Sequence, residues 1–265
     1  MAACGAPMWI PVPVSDELKA IAVFTTRHGG VSSFPFESLN LSFQRGDSAE
    51  NVLKNFELLS KSTGIPMEYM VLTKQVHGCD ITVVNKQHCG MGLLRERTFG
   101  ESDGLITADM NVALVTFHAD CAPVYLYDVK RKVIGLVHSG WRSTLLKISA
   151  KAVRIMEKEF NCNAAEIHAV IGPCIRKCCF EVDRDVYEEF LKVFPDCADA
   201  FLCTGKKWKI DLAGIIVRTL TDEGLSMGNI QDLNRCTVCE KQLFFSHRGG
   251  QGKSGTGAAV FMMTE

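Results

Sequence analysis

Three apolar runs fill most of residues 112–137 and constrain this chain more than any other feature: VALVTF at 112–117, VYLY at 124–127 and KVIGLV at 132–137. Each has strand length and is rich in β-branched and aromatic residues. They follow one another without an intervening helix, so the chain reads as α+β rather than as a regular βαβ repeat. Into this buried material the stretch HADCAPVYLYD (118–128) places an acid, Asp120, and a thiol, Cys121. The third run ends directly on His138.

The rest of the pattern fits that class. AIAVFTT (20–26) reads as a strand and opens into a turn-rich stretch, 27–42. A helix is expected over 47–64, capped by Asp47 or Ser48, with Val52, Phe56 and Leu59 on one face and Gly64 as its stop. YMVLTKQVHG (69–78) and DITVVN (80–85) read as strands paired around a glycine turn. One long helix is expected over 140–160, with Leu145, Ile148, Ala152, Ile155 and Met156 as its stripe. Further strands are expected at 166–172, 207–212, 243–248 and 258–263, and helices at 184–194 and 212–224.

With 265 residues, 47% of them hydrophobic, and no linker-like stretch, residues 1–265 read as a single domain. A net charge of −1 without a long basic run argues against nucleic acid or an anionic membrane as partner. No apolar stretch approaches the roughly 20 residues of a membrane span. The first fourteen residues lack a basic start and are broken by prolines, a poor signal peptide, so the expected location is cytoplasmic. There the twelve cysteines are expected as thiols.

The seven histidines form no His-x-His or His-x-x-x-His pair, so placement carries the argument. His77, Cys121 and His138 all fall at strand ends, where sheet proteins gather ligands. Two imidazoles and a thiolate suit zinc and leave a fourth position open. On spacing alone, a buried structural thiol and hydrogen-bonded core histidines account for them slightly better. Asp120 favours the metal, because a carboxylate in buried strand material needs a partner and a metal-bound imidazole is one. Gly140 and Arg142 then open the long helix beside His138 and read as an anion cradle, with a surface role for Arg142 as the alternative. CTVC (236–239) has no second spaced pair, since Cys178 and Cys179 are adjacent, and is read as a pair of structural cysteines without metal. His28, His88, His118 and His168 are read as ordinary.

A dense series of short stretches resembles one family. FTTRHGGVS (24–32), SLNLS (38–42), TKQVHG (73–78), SDGLIT (102–107), ADCAPVYLYD (119–128), HSGWRST (138–144), IGPCI (171–175), CCFEV (178–182), CT (236–237) and FFSHR (244–248) stand in the order of the laccase-domain family. That family is also called multicopper polyphenol oxidoreductase, and its members have been reassigned as purine nucleoside phosphorylases. The resemblance implies a layered mixed β-sheet flanked by helices and a zinc site of His77, Cys121 and His138. It implies phosphorolysis of adenosine, inosine, guanosine and methylthioadenosine, with deamination of adenosine besides. The chain departs from the family at Ser139 and Ser143, at Arg176-Lys177, and at GTGAA (255–259), which lacks a usual arginine.

Purine nucleosides and inorganic phosphate are therefore the expected partners. Cys121, His138, Asp120 and Arg142 are the expected catalytic groups, with Asp103 the alternative to Asp120 as proton carrier. Arg27, Ser33 and Asn40 are candidate substrate contacts beside Arg142, or simply turn residues. Copper oxidation is the less expected chemistry, since three ligands serve one metal and histidine pairs are absent. A cysteine hydrolase or deamidase using Cys121 and His138 is the competing enzyme reading, and a non-catalytic zinc module the third.

Overall fold

The computed structural model describes residues 6–265; the first five positions of the N-terminal stretch, Cys4 among them, lie outside the described residues. In chain order the strands are β1 Trp9–Pro11, β2 Ala20–Thr25, β3 Met70–Leu72, β4 Ile81–Val83, β5 Gly104–Thr107, β6 Ala113–His118 and β7 Ala122–Asp128. They continue as β8 Val133–Ser139, β9 His168–Ile171, β10 Glu181–Val182, β11 Phe201–Cys203, β12 Trp208–Ile210, β13 Ile230–Asp232 and β14 Gly257–Met263. The helices are α1 Ala49–Thr63, α2 Trp141–Leu145, α3 Ile148–Phe160, α4 Arg184–Val193 and α5 Leu212–Asp222. A mixed five-stranded sheet has the order β1-β2-β14-β6-β3, and a mixed six-stranded sheet the order β13-β9-β7-β8-β5-β4. A small sheet, β10-β12-β11, packs with α4. The class is α+β.

Packing explains why the apolar runs are continuous. The two large sheets face each other across a core that includes Phe24, Val71 and Phe261 from one and Leu105, Tyr125 and Leu136 from the other. The six-stranded sheet buries its other face under α3 and α5, and the five-stranded sheet buries its own under α1. Strands covered on both faces lose the alternation of half-exposed strands. Every residue of β7, β8 and β14 is buried accordingly.

Three expectations fail, each for a reason that bears on function. β3 and β4 do not pair. β3 runs parallel to β6 in one sheet and β4 parallel to β5 in the other, so 73–80 is a crossover between sheets. The helix expected over 140–160 breaks at Lys147, whose φ of 54° is left-handed, into α2 and α3. That turn lets α3 lay Ile148, Ala152, Val153 and Met156 on the six-stranded sheet. Residues 243–248 are buried as a loop rather than a strand: Phe244 enters the core between the sheets, edge-on to Phe24 at 5.6 Å. Strands β1, β11 and β13, three residues each, lacked the length to stand out in the sequence.

The turn-rich stretch before α1 is anchored from the helix. Ser48 caps α1 through a bond from Asn51 N, and Gly64 ends it in left-handed geometry. Asn55, fully buried, accepts from Val31 N at 2.8 Å and donates to Ser32 Oγ, Ser38 O and Asn40 O. A single side chain thus fixes the fold of 31–40. Asn55→Ala should strand these groups and destabilise the protein by about 2–4 kcal/mol, read as a lower urea midpoint at unchanged slope. A change below about 0.5 kcal/mol would show that the loop does not depend on it.

Candidate functional site

Two crossovers carry the chain from the five-stranded to the six-stranded sheet, and each delivers one of the expected ligands. Residues 73–80 bring His77, and 119–121, between β6 and β7, bring Cys121. His138 completes the set from the C-terminal half of β8, in register with Pro123. One donor atom from each of the three lies within 4.8 Å of the others. The rings of His77 and His138 meet edge to face with centroids 4.9 Å apart.

The carboxylate that organises this group is Asp103, at the entrance to β5 and fully buried. It accepts from His138 Nδ1 at 2.9 Å and from the backbone N–H groups of Val76, His77 and Gly78 at 3.1, 3.0 and 2.8 Å. One acid therefore fixes the ring of His138 and the loop that holds His77. Burial pushes its pKa up, but the bonds from His138 and the backbone outweigh it and hold Asp103 below the ordinary carboxylate value.

The orienting role expected of Asp120 thus belongs to Asp103, because Asp120 is committed elsewhere. Its oxygens accept from Thr237 Oγ1 at 2.6 Å and Arg248 N at 2.7 Å. With a left-handed φ of 91°, Asp120 turns the chain from one sheet into the other and presents Cys121.

The donors fit a borderline-soft metal such as zinc. Asp103 occupies His138 Nδ1 and leaves Nε2 as the free nitrogen, as metal-binding imidazoles require. Gly140 keeps the space open: a Cβ there would stand 2.9 Å from Cys121 Sγ and 3.0 Å from His77 Nδ1. Burial raises the Cys121 pKa, yet the charge and hydrogen bond of His138, with those of His77, bring it down to about 6. His138 is lowered by burial but raised to about 9 by Cys121 and Asp103. These directions favour a Cys121 thiolate paired with a protonated His138, and a metal bound there would displace the proton from His138 Nε2. His118 is close to His138, at 5.3 Å between centroids, but its nitrogens are taken by Thr116 Oγ1 and Cys121 O. Burial, then the charge of His138, keeps it neutral.

A cavity of about 570 Å³ opens over these three residues and is lined besides by Phe43, Arg45, Gln75, Arg97 and Phe117. A second, of about 320 Å³, shares Arg45, His77 and Cys121 and adds Asp120, Trp141, His247 and Arg248. Arg142 lines neither. It is exposed, its guanidinium 4.1 Å over the Trp141 ring, so the cations at the cavity are Arg45, Arg97 and Arg248 instead. Arg45 and Arg97 sit in irregular loops with no pattern to announce them, whereas Arg248 ends the FFSHR motif.

The remaining candidates are architectural in this geometry. Arg27 binds Glu37 O and Lys241 O. Ser33 is exposed and its carbonyl closes a turn with Phe36 N. Asn40, buried, bonds Asp47, Ser42 and Thr256 N, shaping the loop that carries Arg45. Of the departures, Ser139 bonds Thr144, and Ser143, on the buried face of α2, leaves its hydroxyl without a hydrogen-bond partner among the described residues. Arg176 forms a bidentate pair with Asp232, while Lys177 Nζ reaches Asp199 O.

The family model described as multi-copper polyphenol oxidoreductase laccase matches residues 21–264. The chain belongs to that family. It is 34% identical over 250 residues to purine nucleoside phosphorylase YlmD of Bacillus subtilis, covering 93% of this chain and 90% of that protein. Human purine nucleoside phosphorylase LACC1 is 30% identical over 235 residues, 84% of this chain and 51% of that one. The crystal structure of hypothetical protein YfiH of Bacillus licheniformis superposes with a TM-score of 0.93 at 32% identity, covering 98% of both chains. That of YlmD from Geobacillus stearothermophilus gives 0.92 at 32%, covering 98% and 97%.

The names of the relatives and of the family point to different chemistry, phosphorolysis and copper oxidation, and the metal groups bear on the choice. Among the described residues two groups can hold a metal: the His77, Cys121, His138 set, and Cys178, Cys179, Cys236 and Cys239. Neither supplies the histidine pairs of a three-copper cluster. The second group corrects the reading of CTVC as an isolated pair, since the fold brings the adjacent Cys178 and Cys179 against it.

If Asp103 governs the ligands, Asp103→Asn should weaken zinc binding by roughly 10–100-fold in a competition titration, as loss of an orienting partner does, with Asp120→Asn doing less. Equal losses would remove Asp103 from this role.

Proposed function

We propose that this protein is a zinc-dependent purine nucleoside phosphorylase that also deaminates adenosine. The observation that carries the proposal is the cavity itself, which is lined together by His77, Cys121 and His138, by Arg45 and Arg97, and by the flat apolar rings of Phe43 and Phe117. Adenosine, inosine, guanosine and methylthioadenosine share a purine for the aromatic surface and a C1′ to be attacked. The relatives named purine nucleoside phosphorylase support the same class.

Phosphorolysis forms a C1′–O bond to phosphate and breaks the glycosidic bond, and the departing purine takes a proton. Arg45, whose Nε is held by Thr256 Oγ1 at 2.9 Å, is positioned to bind phosphate with the rest of its guanidinium. Arg97 is tied to Leu72 O and Thr73 O, and burial lowers its pKa; it braces the wall and adds positive charge. Zinc held by His77, Cys121 and His138 would supply Lewis-acid polarisation in the cavity. Asp103, with four donors on its oxygens, is in no position to exchange a proton. Asp120 lines the second cavity and accepts only one bond on each oxygen, so it is the carboxylate left with lone pairs to serve as proton carrier.

Inosine should yield hypoxanthine and ribose-1-phosphate only when phosphate is present. Arg45→Ala should raise the KM for phosphate by at least about tenfold, one full charge-assisted hydrogen bond, with little change in that for inosine, and Arg142→Ala should leave both near wild type. Base release without phosphate, or the reverse ranking of the two variants, would overturn the assignment of the anion site.

The low pKa of Cys121 beside His138 also favours a second reading, a thiolate nucleophile working without metal. Alkylation separates the two. In chelated protein Cys121 should react with iodoacetamide with a midpoint near pH 6, because the thiolate fraction grows as pH rises through about 6. Zinc should suppress that reaction. Rapid alkylation of zinc-loaded protein, or a covalent adduct on Cys121 during turnover, would decide for the hydrolase.

A further inference from the structure

The four thiols of Cys178, Cys179, Cys236 and Cys239 form a group separate from His77, Cys121 and His138 and line neither cavity. Their separations are Cys178 to Cys179 3.6 Å, Cys178 to Cys236 3.6 Å, Cys178 to Cys239 3.7 Å and Cys179 to Cys239 3.4 Å, with all six within 4.8 Å. Four sulfurs at the corners of a tetrahedron about zinc, with bonds of about 2.3 Å, stand about 3.8 Å apart. Cysteines gathered by chance burial do not converge four sulfurs on one point. We propose that this protein carries a second metal site, a closed tetrathiolate zinc centre formed by Cys178, Cys179, Cys236 and Cys239.

The backbone N–H groups of Cys239, Arg176 and Val238 are directed at Cys236 Sγ. The two segments are already registered by a parallel bridge between Cys174 and Cys236, with Cys174 N donating to Arg235 O and Thr237 N to Cys174 O. Zinc binding releases the thiol protons and leaves a centre of charge −2. Arg176 lies beside the neighbouring thiol Cys174 at 4.0 Å, and Arg248 donates to Cys179 O and Glu181 O, so cations stand on the same loops.

The site has no open position for substrate, and its consequence is mechanical. Thr237, inside the CTVC turn, donates to Asp120, and Arg248 N donates to the other oxygen of that acid. The zinc centre therefore clamps the loops that fix the turn presenting Cys121.

Elemental analysis of zinc-grown protein should give two zinc per chain. His77→Ala and the double variant Cys178→Ser/Cys239→Ser should each retain one, and their combination none. Cobalt substitution should give the intense visible absorption of a tetrathiolate, present in His77→Ala and absent from the double variant. Wild type alone also tests the site: the exposed Cys178 and Cys239 should resist N-ethylmaleimide until a chelator is added. A single zinc lost only with His77, free alkylation of these cysteines in zinc-loaded protein, or an intact mass showing disulfides among them would each overturn the proposal.

Discussion

Asp103 is the interaction on which the site depends. A fully buried carboxylate is costly unless its oxygens are satisfied, and here four N–H groups satisfy them: three consecutive backbone groups of the 76–78 loop and the ring of His138. The acid joins a crossover from one sheet to the end of a strand in the other. Its removal would release His77 and His138 together, while Cys121, held through Asp120 and Thr237, is anchored independently. The two anchors meet only at the metal-sized gap that Gly140 leaves open.

This division follows from the layered fold. Two sheets packed face to face need the chain to pass between them, and the passages are irregular backbone with polar groups to be satisfied. Both passages, 73–80 and 119–121, lie at the same end of the layers. Buried acids and left-handed residues satisfy and turn them: Asp103 for the first, with His77 at φ 60°, and Asp120 for the second, at φ 91°. The residues that solve a connection problem are thereby gathered over one cavity, which the loop carrying Arg45 completes. Asn55 holds the preceding 31–40 stretch, whose Asn40 shapes that loop, so α1 contributes to the site without lining the cavity.

Much of this was legible in the sequence, and the limits have physical causes. The long doubly covered strands, the capped helix α1 and the grouped residues His77, Cys121 and His138 all lie in uninterrupted patterns or at their ends, which local chemistry announces. The pairing of β3 with β4 was misread because adjacent strands usually pair, and nothing in three-residue strands records that they enter different sheets. The break at Lys147 was hidden because the apolar stripe continues across it. Nearness in sequence to His138 and Cys121 suggests an anion-binding Arg142 and an imidazole-orienting Asp120, and side-chain direction overrides both.

The sequence by itself determined the α+β class, the family and the choice of His77, Cys121 and His138, which the fold gathers into one group able to hold a metal, because each is written in contiguous motifs whose chemistry is local. The tertiary structure alone decided which acid orients the imidazole, which arginines face the cavity and that two cysteine pairs 58 residues apart, Cys178 to Cys236, form one cluster. Those are facts about direction and long-range approach. They arise when two sheets and their connecting loops pack against each other, and no local spacing encodes them.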